Sequence, residues 1–363
     1  MVEEVVKRFV HRIRRRRYRA GTEHSSDALR SGSVARRLSL AAALLVGCGF
    51  PSEPPSSRAE PKTGKPDAPT LLAGTVGGCP LTGYLRLVNV TTSTQLSAAA
   101  NAALPGDQIR LAPGTYYGTF SFSRDGTQAR PIAICSASNW AATIRNSQGS
   151  VTVRGDWLVF TGIRFLNGIY AVSFVDASHN IFEHNLLEDL RQEGLVLQGP
   201  SGSSYNKIRY NTVRRTGRTI TRYGEGIYIG SGNTLNDPSN YNEIAYNTFG
   251  PGVTAEHVEL KPGTTGNVVR GNKSDATGTL FEYGQVGGVY AIAGRSQTVL
   301  ENTIVNLNQA RLSGFWAYKV NTAELRRNAV AGPSMSWGFR VSQSTNVSIH
   351  CDNVGSMNVA CIP

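Results

Sequence analysis

The chain lacks any apolar run long enough to cross a membrane as a helix. Its longest, from Leu38 to Gly47, covers ten residues, where about 20 are needed. Cysteine is scarce, with five among 363 residues, and no Cys/His cluster has the spacing of a zinc site. No G-x-S-x-G elbow offers a nucleophilic serine, and no glycine-rich loop is built to cradle phosphate. The helical recurrence of apolar residues at i, i+3, i+4 and i+7 is missing from the repeated segments, as is the leucine spacing of leucine-rich repeats. Serine hydrolases, nucleotide-binding folds, zinc proteins and helical solenoids are thereby set aside. Basic charge beyond the N-terminus is modest too. Of a formal net charge of +12, residues 1–47 hold 11 basic and 4 acidic side chains, which leaves about +5 for the rest. The run Arg14 to Arg17 lies in that leader, so nucleic-acid binding is not expected. A mild positive excess is compatible with an acidic substrate.

What is present is a repeat. Seven segments, NIFEHNLL, NKIRYNTV, NEIAYNTF, NVVRGNKS, QTVLENTI, AELRRNAV and NVSIHCDN, place Asn, or once Cys, five positions after a small or polar residue. The markers are Asn185, Asn211, Asn247, Asn272, Asn302, Asn328 and Cys351, spaced by 26, 36, 25, 30, 26 and 23 residues. A period in the twenties with short β-rich units denotes a solenoid, whose units bury their apolar faces only by stacking. Val and Ile favour pleated strands, and Ile181, Ile208, Ile244 and Val268 recur just after the first marker. The expected fold is all-β: a single-stranded parallel β-helix with three short strands per coil, Ile208, Ile244 and Val268 stacking inward. Asn tolerates left-handed backbone and bonds to nearby main chain. The markers are therefore placed at corners, in register, as a side-chain ladder. Gly162 takes the marker place one coil before Asn185. The 36-residue unit carries an insertion around TRYGEGIYIGSGNTLNDPS, and solenoid insertions form loops, often on the binding face.

The chain divides into three parts. ARRLSLAAALLVGC joins Arg36 and Arg37 to the short apolar run and Cys48, the pattern of a secretory signal. Leu45-Val46-Gly47-Cys48 resembles a bacterial lipobox. That resemblance implies export, loss of residues 1–47 and a lipid on Cys48 as the only membrane link; an ordinary signal with a chance cysteine is the alternative. Val34 is the expected initiating residue, the alternative being a long basic extension. Residues 48–78, rich in Pro, Ser and charge, read as a disordered tether. Residues 79–363 form the β-helix domain, expected to be a monomer. Four cysteines remain there, and an even number in an exported chain favours disulfides: Cys79 with Cys135, and Cys351 with Cys361 as a staple on the terminal coil.

Residues 96–122 read LSAAANAALPGDQIRLAPGTYYGTFSF: an amphipathic stretch from Leu96 to Leu104, a PGD turn and a closing PGTYYG. This entry resembles that of the pectate-lyase-like superfamily, and the resemblance extends over nearly all of residues 80–363. It implies a right-handed parallel β-helix with a short N-terminal capping helix. It leaves function open among polysaccharide lyases, polygalacturonases, epimerases and non-catalytic surface proteins. The GHG and RIK signatures of polygalacturonases and the DPHD motif of alginate epimerases are absent. AEHVELKPGTTGNVVRGN, residues 255–272, resembles the segment of polysaccharide lyase families 9 and 6 that carries a catalytic lysine. It implies Lys261 as the Brønsted base and Glu256 as a calcium ligand. Family 9 uses Asp where this chain has Glu, and the arginine that family 6 carries on the following coil is replaced by GTLFEYGQ.

The residues themselves point the same way. QEGLVLQG, GEGIYIGS and AEHVELKP align Glu193, Glu225 and Glu256 on successive rungs about 4.8 Å apart. Such carboxylates repel unless a cation lies among them, and calcium takes carboxylate oxygens. A lysyl ammonium could serve instead, and three separately solvated glutamates are the plain alternative. Alternation in AEHVELKP turns Val258 and Leu260 inward and His257, Glu259 and Lys261 outward. A lysine with a lowered pKa can remove the proton alpha to a uronate carboxylate, and Arg270, Arg214, Arg215, Arg218 and Arg222 are available to pair with that carboxylate. Tyr228 and Tyr283 offer ring faces to sugars. The expected roles are thus Lys261 and Arg270 catalytic; Tyr228, His257, Glu259, Tyr283 and Arg222 substrate-binding; and Glu193, Glu225 and Glu256 holding calcium. The expected activity is β-elimination of a uronate-containing acidic polysaccharide. A non-catalytic carbohydrate-binding or structural β-helix at the cell surface is the alternative.

Overall fold

The computed structural model describes residues 78–80, 83–232, 237–280 and 287–363. Cys48, Tyr283, the leader 1–47 and all but the last residue of the tether 48–78 lie outside them. A strand, Arg86–Val90, leads into helix α1, Ser93–Ala102. The Thr92 hydroxyl accepts from the Gln95 N–H at 3.2 Å, and Gln95 Oε1 accepts from the Thr91 N–H at 2.8 Å, a variant of the capping box. Leu96 and Ala100 are buried, so the helix closes the N-terminal end of the core, as expected. No helix of the described residues is long and apolar enough to cross a membrane.

The chain then winds as a parallel β-helix. One coil comprises the strands Leu195–Gln198, Lys207–Arg209 and Thr212–Arg214. Each pairs in parallel with its counterpart one coil on, Ile227–Ile229, Glu243–Ala245 and Thr248–Phe249. We call these faces the first, second and third sheets. The third has nine strands, which sets the number of turns at about nine. The first and second fuse where two long strands, Gly287–Leu300 and Asn308–Arg326, run through their shared corner.

Inward rows fill the interior. On the second sheet Phe182, Ile208, Ile244, Val269 and Val299 stand in register, and all are buried; each such side chain contributes about 1.5–3 kcal/mol. Ile208 and Ile244 point inward as expected. Val268 does not. It shares the outward row of Ile181, Lys207 and Glu243 and is only half-buried. The inward residue is always the second after the corner, and a strand of three residues samples the alternation too briefly for apolar identity to reveal this.

The asparagines form the ladder. Asn247 is buried; its Nδ2 donates to Ile208 O at 2.9 Å and to Asn272 Oδ1 at 3.0 Å, while its Oδ1 accepts from the main-chain N–H and Nδ2 of Asn211, both at 3.0 Å. The same pattern runs from Asn185 to Asn328. A second ladder, Asn180, Asn206, Asn242, Asn267 and Gln297, lines the corner between the first and second sheets. Three details differ from expectation. The left-handed residue is the one before each Asn: His184, Tyr210, Tyr246, Gly271, Glu301 and Arg327 have φ between 49° and 62°. The upstream end of the ladder is Ile163, whose N–H donates to Asn185 Oδ1 at 3.0 Å, while Gly162 holds the left-handed place. Downstream, Asn328 donates to Asn353, at 2.9 Å from N–H and 3.0 Å from Nδ2, so Asn353 and not Cys351 is the last rung. Both expected disulfides are present, Cys79–Cys135 and Cys351–Cys361.

Candidate active site

The turn from the third sheet back to the first carries a row of acids. Glu193 and Glu225 sit two residues before the strands Leu195–Gln198 and Ile227–Ile229, and Glu256 two before Val258–Leu260. Main-chain bonds fix their spacing: the Gly194 N–H donates to Glu225 O at 2.7 Å, and the Gly226 N–H to Glu256 O at 2.8 Å. Glycine is needed after Glu225, because a Cβ on Gly226 would lie 2.5 Å from His257 O and 2.8 Å from the Phe249 ring. The three-glutamate stack is therefore one rung per coil, as expected.

The group best arranged for a cation is different. Among the described residues, one carboxylate oxygen each from Glu225, Glu256 and Glu259 lies within 4.8 Å of the others. Glu259 projects outward from the middle of its strand toward the row, and Glu193 lies a rung away from this trio. Glu225 Oε2 and Glu193 Oε2 are buried without a hydrogen-bond partner. Three convergent carboxylates with an orphaned oxygen suit a hard cation such as calcium.

Uncompensated, Glu256, Glu193 and Glu225 are pushed toward their protonated forms. Burial, then the charge of Glu259, pushes the Glu256 carboxyl up to about 8. Burial lifts Glu193 to about 7, with Glu259 adding to it. Glu225 is raised by burial and by the charges of Glu256, Glu259 and Glu193. Tyr170, which the sequence reading passed over, stands at the same row position one coil before Glu193. Its hydroxyl is raised by burial and by Glu193 and Glu225. Sliding the QEGLVLQG phrase back one period onto IYAVSFV would have found it.

Lys261 follows Glu259 on the same outward face and forms an ion pair with it. A Cβ on Gly230 would come 2.8 Å from Lys261 Cβ, so that glycine makes room for the lysine stem. The ammonium lies 4.7 Å from the centre of the Tyr228 ring. Burial lowers its pKa, but Glu259, Tyr228 and Glu256 outweigh burial and raise it. Burial pushes the Tyr228 phenol up to about 12, and its oxygen accepts from the Gly232 N–H at 2.7 Å.

Other expected members lie elsewhere. His257 is not on the outward face. It is buried, tilted against the Phe249 ring 5.6 Å away, with Nε2 3.0 Å from Thr279 Oγ1, and burial drives its pKa down to about 3. It belongs to the corner, where strand alternation has not begun. Arg270 is on the second sheet; its Nε donates to Glu243 at 2.8 Å and its guanidinium lies 5.2 Å from the Tyr246 ring. Arg222 is exposed on the 3-10 turn Thr221–Tyr223, 4.8 Å from the Tyr223 ring, three residues before Glu225.

Known proteins share this framework. The chondroitinase B family profile matches residues 90–186. Pectate lyase L of Dickeya chrysanthemi is 29% identical over 161 residues, 38% of this chain and 37% of that protein. Its Dickeya dadantii counterpart is 31% identical over 130 residues, 31% of this chain and 30% of that protein. The chain thus aligns with about a third of the length of these curated relatives. Among solved structures, an alginate lyase from Paenibacillus sp. superimposes with a TM-score of 0.62 at 25% identity, covering 72% of this chain and 99% of that one. A PL6 family alginate lyase, AlyGC, shares the fold at a TM-score of 0.50 and 17% identity, over 70% of this chain and 40% of that one. The protein is a pectate-lyase-like, right-handed parallel β-helix. Within that class it is polysaccharide-lyase-like.

Proposed function

We propose that the protein is an exported polysaccharide lyase that cleaves a uronate-containing acidic polysaccharide by β-elimination. The observation that carries this reading is the convergence of Glu225 and Glu256, in the turn entering the first sheet, with the outward Glu259 that pairs with Lys261. These three glutamates would hold a calcium ion, which when bound supplies positive charge to the substrate carboxylate as its alpha proton is lost. Lys261 Nζ accepts that proton; a carbon–carbon double bond forms as the beta carbon–oxygen glycosidic bond breaks, and the departing oxygen takes a proton from water. In the ion pair Lys261 stays protonated, because Glu259 raises its pKa. The carboxylate that disarms the base is thus one of those facing the cation site, and neutralising Glu259 lowers the lysine toward a working range. Tyr228 sets one wall beside the ammonium, and Glu193 extends the acidic row. Arg222 supplies an exposed cation on the inserted loop; Arg270, engaged with Glu243, serves only if a substrate carboxylate displaces that partner.

The test is a panel of pectate, alginate and glycosaminoglycan uronates, followed by the ultraviolet absorbance of the unsaturated product with calcium and with chelator. One polymer is expected to yield the product in calcium only. Lys261→Ala is expected to lower turnover by about 10²–10⁴-fold with polymer binding retained. Full activity in Lys261→Ala overturns the assignment. The closed Lys261–Glu259 pair favours a second reading, a non-catalytic carbohydrate-binding protein, which predicts binding of the polymer without product. Lipid attachment at Cys48 completes the proposal. Cys48→Ser is expected to release the protein from the membrane fraction, and unchanged attachment counts against it.

A further inference from the structure

The outward row that holds Tyr228 and Glu259 continues toward the C-terminus. Successive coils place Ala291, Trp316 and Arg340 in register with them. Strand spacing sets Trp316 two rungs from Glu259, about 10 Å. The intervening Ala291 has only a methyl group, so the surface dips between the lysine site and the indole. Trp316 does not lie there by default. A Cβ on Gly288 would come 2.7 Å from Trp316 Cβ, so this backbone leaves space for it. Its Nε1 donates to Ser342 Oγ at 2.8 Å, which fixes the ring plane. Tyr318, two residues on and on the same side of the strand, stacks with Trp316 at 4.5 Å between centroids and 21° between planes.

Two cations border this pair. The Arg340 guanidinium lies 5.9 Å from the Trp316 ring and the Lys319 ammonium 4.9 Å from the Tyr318 ring. Neither has a carboxylate partner among the described residues. Aromatic surface complements the C–H face of a sugar, and an adjacent cation complements a carboxylate. We infer that Trp316 and Tyr318, with Arg340 and Lys319, form a remote subsite for a uronate residue of the strand that occupies the Lys261 site. This deepens, and rests on, the reading of that face as the polymer site.

Binding of galacturonate, alginate and glycosaminoglycan disaccharides and hexasaccharides to the chain, measured by calorimetry, tests it without requiring turnover. Hexasaccharide affinity is expected to fall about tenfold in Trp316→Ala, the scale of one well-packed aromatic contact. Trp316→Phe is expected to restore most of it, and the disaccharide to be indifferent to both. Arg340→Gln, which leaves the rings in place, is expected to weaken hexasaccharide binding and flatten its salt dependence. Hexasaccharide binding that is unchanged in Trp316→Ala, Tyr318→Ala and Arg340→Gln overturns the subsite and leaves the Lys261 reading standing. If no hexasaccharide binds to the unaltered chain, both fall.

Discussion

Glu256 shows what the site demands of a single residue. A carboxyl whose ordinary pKa is 4.5 sits near 8 in the folded chain, so folded protein binds more protons than unfolded protein between those values. Stability therefore falls as pH rises through that window. Glu193, near 7, and the raised Glu225 act in the same direction. His257 opposes them: held neutral down to about 3 against an ordinary 6.5, it adds stability as pH rises to 6.5. Above that only the acids contribute. With chelator present, the melting temperature is expected to drop between pH 6.5 and 8, and calcium is expected to reverse the drop. Glu256→Gln should flatten the slope; an unchanged slope in that variant would show that the carboxyl titrates normally. Part of this site was legible in the sequence, because Glu193, Glu225 and Glu256 share a phrase with the glycine that tightens the corner. Assigning His257 failed because the period of two starts only with the strand, after the corner. Glu259 was recognised as outward, but its convergence on Glu225 and Glu256 depends on how far the row leans over the strand, which spacing does not encode.

At the scale of the element, the asparagine ladder does what the short strands cannot. Strands of three residues offer few main-chain bonds, and each corner leaves N–H and C=O groups that must find partners away from water. Asn247 satisfies groups on the coil before it and the coil after. Asn247→Ala leaves the Asn211 N–H without its acceptor and the Ile208 carbonyl without the amide donor, at about 1–3 kcal/mol for each orphaned group, while Asn272 Oδ1 loses one donor and keeps the main-chain N–H of residue 247. A loss of about 3 kcal/mol in denaturant unfolding is expected. A loss below about 1 kcal/mol would mean that water or a neighbour replaces the amide, and that the ladder is ornamental. The ladder was the most legible feature of the chain because one side-chain type recurs once per coil. Its ends were not, since the final coil, running from Asn328 to Asn353, is interrupted by a cysteine at the expected place. The left-handed corners were also hidden: His, Tyr, Gly, Glu and Arg share that backbone without sharing any chemistry.

The described coils form a stack in which each touches mainly its neighbours, so their stability is close to a sum of local terms. The two disulfides therefore act differently. Cys79–Cys135 spans 56 residues and joins the entry segment to a buried strand of the second sheet. Cys351–Cys361 spans 10 and closes the last coil beside Asn353. Chain entropy assigns about 4 kcal/mol to the longer loop and about 3 kcal/mol to the shorter. In a nearest-neighbour stack the shorter contribution is confined to its own end. Replacing Cys351 and Cys361 by Ala is expected to accelerate amide hydrogen exchange at His350, Asn353 and Val354, whose N–H groups bond within the last coils. Exchange in the strand Val258–Leu260 and the main unfolding midpoint are expected to stay within error. Loss of protection throughout the stack, or a midpoint several degrees lower, would show that the coils unfold as one unit and that the terminal staple stabilises the candidate site from a distance.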